Sequence, residues 1–149
     1  MKKLMIASTL ALLSSVASAE VLVENAYARA VPPGQLNSAT FLQLHNKGSE
    51  MVKLVNAASP AAKNVELHTH EHDNGVMRMR QVESIPVAAN DSTTLQPGGY
   101  HIMLIGLNQD MAPGSEIDLK LSFSDGSSAT LKVPVKMVMA KQKMNHHNH

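Results

Sequence analysis

From residue 20 onward the chain is built of short runs in which apolar and polar residues alternate, separated by Gly, Pro, Asn and Asp. Apolar residues that recur every second position in runs of this length predict strands with one buried face, so the expected fold is all-β, an antiparallel sandwich or Greek-key barrel. The expected strands run from Val21 to Arg29, Ala39 to Asn46, Met51 to Ala57, Asn64 to His70, Val76 to Val82, Tyr100 to Leu107, Ser115 to Phe123 and Ser127 to Val135, with one short strand at Ser92 to Leu95. Val31-Pro32-Pro33-Gly34 ends the first strand because proline cannot donate to a ladder. Asp125-Gly126 joins the last two as a hairpin.

The strand pattern leaves both ends of the chain apart. Residues 1–19 have a basic start at Lys2 and Lys3, an apolar run from Leu4 to Leu13 and a small-x-small site at Ala17-Ser18-Ala19. That is the layout of a secretory signal peptide cleaved after Ala19, and it implies a periplasmic protein. The apolar run is too short to span a bilayer, so no stable membrane insertion is expected. Residues 20–136 make one domain of ordinary size. Residues 137–149 hold three Met and three His with no core-forming pattern, and read as a flexible tail.

Charge and composition exclude several classes. The whole chain carries 13 Lys and Arg against 12 Asp and Glu, and removing Lys2 and Lys3 turns its formal +1 into −1, so nothing attracts nucleic acid. The chain has no cysteine, which excludes disulfides, thiolate metal sites and the Cys-ligated blue-copper centre of electron-transfer proteins. Nor is a group of nucleophile, base and orienting residue evident, so the chain does not read as an enzyme. A monomer is expected.

Its chemistry lies in ELHTHEHDNGVMRM and, further on, PGGYHIML. His68, Met79, His101 and Met103 stand in the spacing H-x10-M-x21-H-x-M. Thioether sulfur and neutral imidazole together favour Cu(I) over harder ions. Alternation puts Val65 and Leu67 in the core and Glu66, His68 and His70 on the opposite face. Met77, Met79 and Gln81 share one face of the returning strand. A two-residue turn at Asp73-Asn74 sets His68 opposite Met79, and one at Asn74-Gly75 sets His70 there instead. His101 and Met103, two apart on a strand, have Cα atoms about 7 Å from each other and face the same way. Only the imidazoles must lose a proton, so binding is expected to weaken below about pH 6.

Other donors have plainer readings. Met51, Met77 and Met111 are expected to fill core, and His45 to be structural or solvated. Arg78, Arg80, Lys141 and Lys143 read as solvated charges. His70 and His72 are possible auxiliary ligands, a Zn(II) or Cu(II) capture patch, or a polar loop. In the tail, Met137, Met139, Met144, His146, His147 and His149 form a possible second metal site, with imidazoles suited to Cu(II) or Zn(II).

The spacing H-x10-M-x21-H-x-M, with ELH, NGVMRM and LQPGGYHIMLIGL around it, resembles the periplasmic copper chaperone family PCuAC over roughly residues 20 to 136. The resemblance implies a cupredoxin-like β-sandwich that binds one Cu(I) through His68, Met79, His101 and Met103. It further implies delivery, with a Sco-type thioredoxin-like copper protein, towards the cytochrome c oxidase subunit that holds the dinuclear copper centre. Some members carry a His/Met-rich C-terminal extension that binds Cu(II), which Met137 to His149 resembles. A periplasmic copper buffer or resistance protein without a dedicated recipient is the alternative reading.

Overall fold

In the computed structural model, which describes residues 20–138, the alternating runs form ten strands and no helix. They are β1 (Val21–Arg29), β2 (Asn37–Asn46), β3 (Val52–Ala58), β4 (Ala62–Asp73), β5 (Val76–Gln81), β6 (Ile85–Val87), β7 (Ser92–Leu95), β8 (His101–Leu107), β9 (Glu116–Phe123) and β10 (Ser128–Lys136). The signal-peptide segment and the tail beyond residue 138 lie outside the described residues. No helix among the described residues is long and apolar enough to cross a membrane.

Hydrogen bonding runs in the order β5-β4-β8-β2-β1-β10-β9-β3-β6, with β7 also paired to β2. Neighbours are antiparallel except β1 and β10, which run parallel at Ala28–Val135 and Arg29–Lys136. The path folds into two layers whose inner faces meet. Leu42, Leu44, Leu67, Ile102 and Leu104 come from one layer; Leu54, Ile85, Val87, Leu119, Leu121 and Val133 come from the other. This is a cupredoxin-like β-sandwich with an aliphatic core.

Three local features set the outer face of the β4-β8-β2 layer. Asn74 and Gly75 both have positive φ, 48° and 79°, as a two-residue primed turn requires. The turn therefore falls at Asn74-Gly75, and His70 lies opposite Met79. In β1 the register against β2 shifts between Glu24 and Tyr27, with Asn25 at φ 52°, so the strand bulges there. Past the bulge, Tyr27 stands opposite Phe41 on the outer face while Ala28 is fully buried. Finally, one edge of β2 is divided: Asn37 to Thr40 pair with β8, and Leu42 to His45 pair with β7. The turn between β7 and β8 consequently passes beside Phe41, and its Pro97 and Gly98 line the same cleft as that ring.

The expectation that Met51, Met77 and Met111 fill the core holds for Met111 alone. Met111 is buried, whereas Met51 and Met77 are about half exposed. Met51 directly precedes β3 and Met77 lies on the outer face of the edge strand β5, so neither has a second layer to pack against.

Candidate metal centre

The antiparallel pairings of β4 with β8 and β5 bring the soft donors together. His68 stands opposite His101, and Met103 opposite Glu66 on one side and Ala39 on the other. Residues opposed across a ladder project the same way. His68, His70, Met79, His101 and Met103 therefore share one face. A cleft of about 380 Å³ opens there, lined by His70, Met79, His101 and Met103 and floored by Phe41. His68 is not part of its lining. It lies behind, with its ring centroid 5.7 Å from that of His101, while the His70 ring is 5.1 Å from His101 on the open side.

Hydrogen bonds fix which imidazole nitrogens are free. His101 Nδ1 donates to the Gly99 carbonyl at 3.0 Å, which leaves Nε2 unprotonated. His68 Nε2 lies 2.8 Å from Glu66 Oε2 and donates to it, so in the neutral imidazole the lone pair is on Nδ1. Both His101 Nε2 and His68 Nδ1 are buried without a hydrogen-bond partner among the described residues. Arg29 Nε, Thr40 Oγ1 and His45 Nε2 are also buried without a hydrogen bond, but His68 Nδ1 and His101 Nε2 are on adjacent rings and fit a shared soft cation. A carboxylate or carbonyl on the second nitrogen is also how metal-bound histidines are oriented. Among the described residues no three His, Asp or Glu side chains converge as a metal site, so an ion held here would draw on the thioethers.

The electrostatics oppose a proton at the same place. His101, 2% exposed, has its pKa pushed below the usual imidazole value chiefly by burial. The Gly99 carbonyl offsets this in part, and the fields of His70, His68 and Arg29 lower it further. The Arg29 guanidinium lies over the Phe41 ring, 5.5 Å from its centroid, and also lines the cleft. Unfolded, His101 takes up a proton near pH 6.5; folded, it does so only at lower pH. Between those values the unfolded chain binds more protons, so stability is lost as pH falls through that window. The urea midpoint of the metal-free protein is expected to drop from about pH 7.5 to about pH 5.5, and His101→Gln to remove part of the drop.

Sequence spacing does not point to Glu66, Arg29, Phe41 or the Gly99 carbonyl. Glu66 was nonetheless within reach, since it sits two residues before His68 on the same face. Met137 is exposed just after β10, while Met139, Met144, His146, His147 and His149 lie outside the described residues. His45 is structural: Nδ1 meets Ser92 Oγ at 2.5 Å and Nε2 lies 3.1 Å from Glu24 Oε2.

Residues 21–135 match the family model described as "Putative lipoprotein LpqE-like". The chain is 38% identical over 117 residues to "Putative lipoprotein Lxx21020" of Leifsonia xyli subsp. xyli (strain CTCB07), an alignment covering 78% of this chain and 69% of the relative. It also resembles the solution structure of CuI-DR1885 from Deinococcus radiodurans, with 30% identity, 87% of each chain covered and a TM-score of 0.68. The chain belongs to the LpqE-like, PCuAC-type family. The copper-bound PCuAC domain from PmoF2 has the same fold, with a TM-score of 0.67 over 80% of this chain and 94% of that one, at 18% identity. A further relative of this PCuAC-type chain, "Uncharacterized protein RP573" of Rickettsia prowazekii (strain Madrid E), is 30% identical over 100 residues, 66% of this chain. The chain spans just over half of that relative, 55% of its length.

Proposed function

We infer that this chain is an exported Cu(I) carrier, which binds the ion through His68, Met79, His101 and Met103 and hands it on by ligand exchange. The observation that carries this reading is the pair of buried, unpartnered imidazole nitrogens, His68 Nδ1 and His101 Nε2, on the face that also bears Met79 and Met103. All four donors are neutral, so the bound ion keeps its charge. The nearby Arg29 guanidinium opposes a divalent ion more than a monovalent one. Soft donors and that repulsion both favour Cu(I). Copper-loaded relatives of this fold, and the lipoprotein descriptions of the family and of the Leifsonia protein, support an exported copper protein.

The geometry suits release to a partner. Met79, on the edge strand β5, is 49% exposed, whereas His101 is buried. An acceptor thiolate can take the place of Met79 first and draw the ion out before the imidazoles let go. The recipient class is a thiolate-bearing acceptor of the Sco type, acting in assembly of the cytochrome c oxidase copper centre. Stopped-flow mixing of the Cu(I)-loaded chain with an apo dithiol acceptor tests this. A transfer rate that rises with acceptor concentration is the expected result, because exchange passes through a shared complex. A rate independent of the acceptor would mean dissociation into solution, as in a copper buffer, and would overturn the carrier reading.

A further inference from the structure

The soft donors continue along the β4-β5 hairpin beyond the cleft. His70 stands opposite Met79, and the next rung toward the turn is His72 opposite Met77. Val82 N donates to Leu67 O at 2.9 Å, which makes Leu67 and Val82 a hydrogen-bonded pair. Pairs alternate along an antiparallel ladder, so both His–Met rungs are of the non-hydrogen-bonded kind, with Cα atoms about 4.5 Å apart and the side chains at their closest. The two rungs share a face because their members are two residues apart, which sets them about 7 Å from each other.

The charges of the hairpin lie on its other face and neutralise one another there. Arg80 Nη1 donates to Glu71 Oε2 at 2.9 Å, and Arg78 Nε lies 3.7 Å from Asp73 Oδ2. His72 is exposed and Met77 is 46% exposed, so the outer rung is open to solvent and has no packing role. His70 belongs to the inner rung, with its ring 5.1 Å from that of His101. Diagonal neighbours on such a ladder are within reach of long side chains, so His70 can serve either rung.

We propose that His72, Met77 and His70 form a second, outer Cu(I) site that receives the ion at the hairpin tip and passes it to Met79, His101 and Met103. The site extends the carrier reading above and rests on it. Coordinate bonds from His72 and Met77 break as those from Met79 and His101 form; the ion stays monovalent, and neither electron nor proton moves.

The test is a titration of the full chain, labelled with 13C at the methionine methyl groups, with Ag(I), a redox-inert monovalent ion of the same soft class. The first equivalent is expected to shift the Met79 and Met103 methyls, and later additions that of Met77. His72→Gln, a change at an exposed position, is expected to abolish the Met77 shift and leave those of Met79 and Met103 in place. The outer site is overturned if Met77 has not moved once the tail methyls of Met137 and Met144 have stopped moving, or if its shift survives His72→Gln. Silent Met79 and Met103 methyls alongside a moving Met77 would instead overturn the core ligand set.

Discussion

Met103→Leu is expected to weaken Cu(I) binding by more than about 100-fold and to leave the fold intact. Loss of an outer-shell partner alone costs roughly 10–100-fold in metal affinity. Met103 lies on the cleft wall next to His101, and leucine keeps its apolar volume while removing the sulfur. Leu and Met exchange at a cost below about 1.5 kcal/mol even in a core, and Met103 is only half-buried. The urea midpoint should therefore barely move. Met79→Leu has the same sign, but its effect should be smaller, because Met79 is exposed on the edge strand and His70 faces it as a substitute donor. A competition titration with a Cu(I) chelator measures both. Affinity that is unchanged in both variants would remove the two thioethers from the site.

Leu104→Ala should do the reverse, costing about 2–5 kcal/mol of stability while leaving the donors themselves untouched. Leu104 is fully buried, one residue after Met103, and points into the core because neighbours on a strand alternate. The loss is a large share of the roughly 5–15 kcal/mol that holds a domain of this size. Urea denaturation of the metal-free protein measures it directly. Saturating Cu(I) should recover part of the loss, since an ion that binds only the folded state stabilises it by mass action. A cost below about 1 kcal/mol would mean that the two layers do not close on this residue.

Much of this arrangement is legible in the chain because a strand has period two. That period alone separates Val65 and Leu67 from Glu66, His68 and His70, and places His101 and Met103 together. Turn chemistry carries the next step: Asn-Gly takes a primed turn readily, and the hairpin closes there rather than at Asp73-Asn74. Other parts have no local signature. β6 spans only Ile85–Val87 with Pro86 at its centre, too short for alternation to show, yet Ile85 and Val87 are fully buried. The parallel pairing of β1 with β10 joins residues more than a hundred positions apart.

At the site, the ladder itself does not reveal that His68 sits behind the cleft and His70 along it. Nor does it reveal that Pro97 and Gly98, in the turn before β8, line the same cleft as Phe41, or that Gly99 offers its carbonyl to His101. Arg29 reaches the cleft from β1 after a bulge that no spacing rule foresees. Met77 misleads for a related reason. Methionine in a strand usually packs, but β5 is an edge strand with solvent on the face that Met77 occupies.

The most direct test of the central claim is an anaerobic Cu(I) titration of the full chain with X-ray absorption at one equivalent, repeated after His101→Gln. The expected result is a mixed sulfur-and-nitrogen shell that loses a nitrogen donor and most of its affinity in the variant. A first equivalent bound with the same shell and affinity in both proteins would place the copper away from the His68–His101 face and rule out this ligand set.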